Sequence, residues 1–232
     1  MTRAILAGFN PDTIKHLAHP PGGTYITNIQ TLINQCQTPW LSILHDDDFF
    51  VENPPALLIH LKDPSVDFIF SDHWIATADG TIDKPLSETN TRQYGRDRLV
   101  PGVQGNLGIL AANRMIPLDG FFIRSSLANG IRLDTSSPCY SDLRWLIEVT
   151  DRAGTGVYLD ERLFAYQTST LALTNTTAPL AAHLDQWHSI RKTRAIRPDT
   201  KWVVRTRSLF YGLGAAKALI RSFVYELIGK NR

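Results

Sequence analysis

Cysteine is scarce: Cys36 and Cys139 are the only two in 232 residues. A disulfide scaffold is therefore excluded, and a reducing, cytoplasmic setting is the default expectation. No uncharged apolar run approaches the roughly 18 residues that an ordinary spanning helix needs. The opening stretch MTRAILAGFNPDTIKHLAHPPGG holds no uninterrupted apolar segment of secretory-leader kind. Internal repeats and low-complexity segments are also lacking. What is there is ordinary in bulk: 43% hydrophobic and 20% charged residues exclude the disordered and fibrous classes. The length suits one domain with one sizeable core and an appendage.

The formal net charge of +2 hides an asymmetry. From Ile190 to Arg232 there are eleven Lys or Arg and two acids, a net +9, which leaves residues 1–189 with thirteen bases and twenty acids, a net −7. An acidic body with a basic tail is not the pattern of a general nucleic-acid binder. It suggests a body that handles cations and a tail that meets anions.

Apolar runs alternate with helical patterns, which predicts an α/β layer architecture. Asn28 to Cys36 reads as a helix with Ile29, Leu32, Ile33 and Cys36 on one face, stopped by Thr38-Pro39. Trp40 to Leu44 reads as a buried strand that runs into His45-Asp46-Asp47-Asp48. Asn53-Pro54-Pro55 opens a helix to about Lys62. Val66 to Ser71 and Gly120 to Arg124 are strand candidates, and the polar stretch Lys84 to Asn113 reads as a long functional loop. Cys139 to Ala153 is a helix with Leu143, Leu146 and Ile147 inward. Gly156 to Leu159 and Leu163 to Tyr166 are short strands split by Asp160-Glu161-Arg162. A threonine-rich linker then leads into helices, where Leu209, Leu213, Ala216, Ile220, Phe223 and Leu227 form an amphipathic stripe flanked by Lys217 and Arg221.

The sharpest local signal is LSILHDDDFF, three adjacent aspartates after a buried strand. Two carboxylates about 4 Å apart repel by roughly 4 kcal/mol at an effective dielectric near 20. Solvent or a divalent cation relieves that repulsion. Hard oxygen ligands at a strand's C-terminal edge suit Mg²⁺ or Mn²⁺, above all when a diphosphate supplies further ligands. A solvated acidic turn capping the next segment is the other reading of the same residues. Asp142, in Tyr140-Ser141-Asp142, is equally open: a helix N-terminal acid favoured by the dipole, or a carboxylate placed for chemistry.

The segment from Asn28 to Asp48, NIQTLINQCQTPWLSILHDDD, resembles family 2 glycosyltransferases of the GT-A fold. These carry an Asn opening a helix, a short turn, an apolar strand and a DxD-type motif. The later segment IPLDGFFIRSSLANGIRLDTSSPCYSDLRWLIEVTDRAGTGVYLDERLFAYQ is similar to the second half of that family, and the resemblance covers roughly residues 24–170. It implies a three-layer α/β/α domain with a mostly parallel mixed sheet over residues 1–170, followed by a helical, basic extension over 171–232. It implies Asp46 and Asp48 as the metal pair, with Asp46, Asp47 and Asn28 toward the nucleotide diphosphate. Asp142 would be the general base of an inverting transfer, deprotonating an acceptor hydroxyl. The cofactor would be Mg²⁺ or Mn²⁺, the donor a nucleotide-sugar, and the acceptor a carbohydrate or lipid-linked hydroxyl in cell-surface polysaccharide or glycolipid synthesis.

The resemblance has a gap. The family's first strand and helix, which bind the nucleobase and ribose, have no counterpart before Asn28 beyond a strand remnant at Ala4 to Leu6. A catalytically impaired sugar- or nucleotide-binding remnant is accordingly the alternative expectation. A phosphate-ester hydrolase built on the aspartates is a third, without a further ligand motif in its support. His45 reads as a strand-end residue or an orienter of the aspartates, and Trp74 as a packing residue or a sugar platform. His183 and His188 read as surface residues or a further metal ligand. The basic tail suits an anionic membrane surface, or docking on the body or a second chain.

Overall fold

The computed structural model describes residues 17, 23–51, 55–137, 139–168 and 179–229. Ala4 to Leu6, Asn53-Pro54 and the threonine-rich residues 169–178 lie outside these. Six strands form one sheet: β1 (Trp40–Leu41), β2 (Phe49–Phe50), β3 (Phe68–Ala76), β4 (Gly102–Gln104), β5 (Phe121–Arg124) and β6 (Gly156–Gln167). Their order is β1-β5-β3-β6-β2, with β4 also paired to β6. The class is α/β, but the expected mostly parallel sheet is not what forms. β3 and β6 are the one parallel pair, and all other pairings among the described residues are antiparallel. A parallel neighbour needs a crossover of about a dozen residues or more. The long connection from β3 to β6 supplies it once, and the remaining strands are two to four residues long.

Alternation along β3 divides the core. Phe68 and Phe70 face a cluster with Ile33, Leu107, Phe121, Trp145 and Leu146. Ile69 faces the other way, with Leu57, Val157, Leu163 and Phe164. Helix α1 (Tyr25–Gln35), α4 (Leu107–Ala112) and α6 (Ser141–Arg152) supply the first side, and α2 (Pro55–Lys62) the second. α1 starts three residues before the expected Asn28, because Thr24 and Thr27 form a reciprocal capping box. α5 (Ser125–Ala128) is a single turn after β5.

The stretch from Lys84 to Asn113 is not the expected loop. It contains α3 (Lys84–Gln93), a 3₁₀ turn at Arg96–Arg98, β4 and α4. Asp83 caps α3 by accepting from Leu86 N at 2.9 Å, and Pro85 sits in the first turn. Its inward residues are Ser87 and Thr91. Ile75 N donates to Ser87 Oγ at 2.8 Å, and Thr91 donates to Asp72. A helix buried through hydroxyls has no apolar stripe to read. The two strands expected around Asp160-Glu161-Arg162 are likewise one continuous β6, whose register against β3 shifts between Ser71 and His73.

At that irregularity Asp72 is buried between two guanidinium groups. Arg96 Nε lies 2.7 Å from its Oδ1 and Arg162 Nη2 lies 3.3 Å from its Oδ2. Arg162 also reaches Glu88 at 2.9 Å and stacks 4.4 Å over the Trp74 ring. α7 (Pro179–Arg191) and α8 (Pro198–Gly229) pack on each other and contribute Ile190 and Val204 to the larger core cluster. Gly212 and Gly214 on α8 face Trp187 and His183 on α7. No helix among the described residues is long and apolar enough to cross a membrane.

Asp72→Asn keeps the side-chain shape but leaves Arg96 buried without its ion-pair partner and Arg162 with Glu88 alone. The expected loss is about 3–5 kcal/mol, read as a lower urea midpoint with an unchanged slope.

Candidate functional site

Trp40–Leu41 ends against β5, and the chain then turns at Asp46-Asp47, with Asp48 N donating to His45 O at 3.3 Å. A turn this tight sends successive side chains in different directions. Asp46 and Asp47 line an open cleft of about 910 Å³. Neither makes a hydrogen bond or ion pair within the described residues. Asp48 points the other way. Its side chain is 0% exposed, 3.4 Å from His45 Nδ1, and accepts from Gln167 N at 2.9 Å.

Asp142 reaches the same cleft from the first turn of α6, and Asn28 from the first turns of α1. Asn28 Oδ1 is buried and has no hydrogen-bond partner within the described residues. An orphaned amide oxygen and unpaired carboxylates on the lining of one cleft are hard donors with unused capacity. The structure thus brings Asn28, Asp46, Asp47 and Asp142 to one cavity, but Asp48, expected to hold the metal with Asp46, does not line it: the turn buries its carboxylate against His45 and the Gln167 amide. Trp74 carries Arg162 and does not line the cleft, while His183 and His188 lie on α7 away from it.

The same cavity has a cationic side that the sequence reading missed. Arg114 lines it with φ 61°, left-handed backbone that a non-glycine residue rarely adopts. It closes α4 as a Schellman turn: Arg114 N donates to Ala111 O at 2.8 Å and Met115 N to Leu110 O at 2.9 Å. Its guanidinium sits 5.0 Å from the Tyr94 ring centre, with Arg96 at 5.1 Å. His73 and Asp119 form a buried pair at 3.2 Å that also lines the cleft. A non-glycine residue where a helix cap wants glycine, and a histidine inside a strand, were the available signals.

Electrostatically, burial raises the Asp142 carboxyl above its ordinary range, opposed by the Leu143 amide and by the charges of His45 and Arg114. His45 is pushed up to about 9, first by its contact with Asp48, against burial and with help from the Asp142 charge. Burial would raise Asp119 too, but the charge and hydrogen bond of His73 outweigh it and hold that carboxyl low. Imidazolium and guanidinium thus share one open space with four carboxylates, Asp46, Asp47, Asp119 and Asp142.

No three His, Cys, Asp or Glu side chains among the described residues converge on a point that would hold a metal ion. The residues do not fit a closed, fully protein-ligated metal. Two free carboxylates and an amide oxygen do fit Mg²⁺ or Mn²⁺ bound jointly with a ligand's phosphates, the usual mode for such ions.

Without added divalent ion, the His45 ring is expected to titrate near pH 9 by NMR, and Asp48→Asn to bring it down toward 6.5. Because the folded pKa lies above the unfolded one, the pairing stabilises fully below pH 6.5. That stability is lost as pH rises through about 9. Asp48→Asn should flatten this part of the pH–stability curve.

No family model matches the chain, and a search of curated proteins gives no match either.

Proposed function

We propose that the chain is a glycosyltransferase of GT-A type, moving a sugar from a nucleotide-diphosphate donor to a hydroxyl acceptor with inversion. The observation that carries the reading is the shared cleft: the adjacent pair Asp46-Asp47 and the sequence-distant Asp142 line one cavity. A hydrolase built on Asp46 and Asp47 alone would leave Asp142 without a role.

In this reading Asp46 and Asp47 hold Mg²⁺ or Mn²⁺ together with the donor diphosphate. The ion supplies charge neutralisation for the departing nucleoside diphosphate. Asn28 lines the same cleft. His45 keeps its proton through its contact with Asp48 and adds positive charge where the leaving group gains negative charge. Asp142 takes the proton from the acceptor hydroxyl as its oxygen attacks the anomeric carbon. A carboxyl raised by burial is a better base for this step than a solvated one, because its proton affinity lies closer to the working pH. Arg114 opposes the acidic wall and tempers the repulsion among the carboxylates.

The test is calorimetric binding of a panel of nucleoside diphosphates with Mn²⁺, followed by transfer assays with the matching sugar donors. Asp46→Ala and Asp47→Ala should remove the Mn²⁺-dependent part of binding. Asp142→Asn should leave donor binding nearly intact and suppress transfer about 10²–10⁴-fold. Full transfer by Asp142→Asn overturns the base assignment. Donor binding without transfer by the wild-type chain leaves a nucleotide-sugar-binding module instead.

A further inference from the structure

We propose that the outer face of α8 docks on an anionic lipid surface. α8 carries two apolar faces. Val204, Ser208 and Ala215 are buried, with Tyr211 packed on the core cluster. On the opposite side Trp202, Leu209, Leu213 and Ile220 are 67, 69, 69 and 64% exposed. At 100° per residue these four fall within about 20° of one line along the helix, a strip about 27 Å long. Packing against the body therefore does not explain them.

Charge identifies the occupant. Lys201 and Arg205 lie on one flank of the strip and Lys217 on the other, all exposed and without an ion pair among the described residues. Asp199, in the first turn, is the only acid among the described side chains of α8. A straight apolar strip with a tryptophan near one end and cations on both flanks matches an interfacial helix. Its apolar side chains enter the headgroup boundary, while lysine and arginine stems lie along the surface and meet phosphate. Pairing two copies of the strip would set Lys201, Arg205 and Lys217 against their own kind, which disfavours a second copy as the occupant. Docking by α8 is independent of chemistry in the cleft, so vesicle binding and sugar transfer are read separately.

The experiment is co-sedimentation of the full chain with phosphatidylcholine vesicles, with and without phosphatidylglycerol, over a salt series. Binding is expected only with phosphatidylglycerol and should weaken as salt rises. Lys201→Gln, Arg205→Gln and Lys217→Gln should each reduce it about fivefold. Leu209→Glu with Leu213→Glu should abolish it while leaving the thermal melt unchanged, because both side chains are exposed. Absence of binding to phosphatidylglycerol vesicles at low salt overturns the proposal, as does binding that the charge variants leave unaltered. Self-association in sedimentation velocity that the Leu209/Leu213 variant abolishes, without vesicle binding by the wild type, assigns the face to a second copy.

Discussion

The fold is organised around a charge in the middle of its central strand. β3 is buried along nearly its whole length, yet its centre reads Ser71-Asp72-His73. An isolated carboxylate there would be prohibitively costly to desolvate. Arg96 and Arg162 flank it, one from the 3₁₀ turn and the other from the adjacent strand. Thr91 ties it to α3. Three separate elements are thereby fixed to one position, and the register shift between β3 and β6 occurs at the same place. His73, the next residue, is carried to the cleft by this arrangement and meets Asp119 there.

The cleft inherits its polarity from backbone geometry. A tight turn after β1 splits three adjacent aspartates into two that face open space and one that faces His45. A short helix capped by Arg114 brings a cation to the same cleft. The first turns of α1 and α6 bring Asn28 and Asp142, where helix N-termini favour negative charge. His45, Asp46 and Asp47 share one turn, whereas Asp142, Arg114 and His73 are held by separate elements.

Legibility followed the way each element is buried. α6, β5 and the start of β3 expose an apolar rhythm in the sequence, and they formed where that rhythm placed them. α3 is buried through Ser87 and Thr91, so hydropathy showed only a polar stretch. β6 crosses its irregularity with Asp160-Glu161-Arg162, which reads as a break because Arg162 is satisfied by partners distant in sequence. The acidic motif drew attention by its chemistry, but the choice of which aspartate turns inward rests on a single turn near His45. Strand direction was the least visible property: two-residue strands such as β1 and β2 carry no pattern that distinguishes antiparallel from parallel pairing.

Arg114 illustrates a tension between durability and use. Left-handed backbone at a residue with a Cβ costs roughly 1–2 kcal/mol, and glycine would relieve it at this helix end. A search guided by thermal tolerance alone would adopt that glycine and strip the guanidinium from the cleft. The position thus ties a strained backbone to a cation in the cavity, so that relieving the one removes the other.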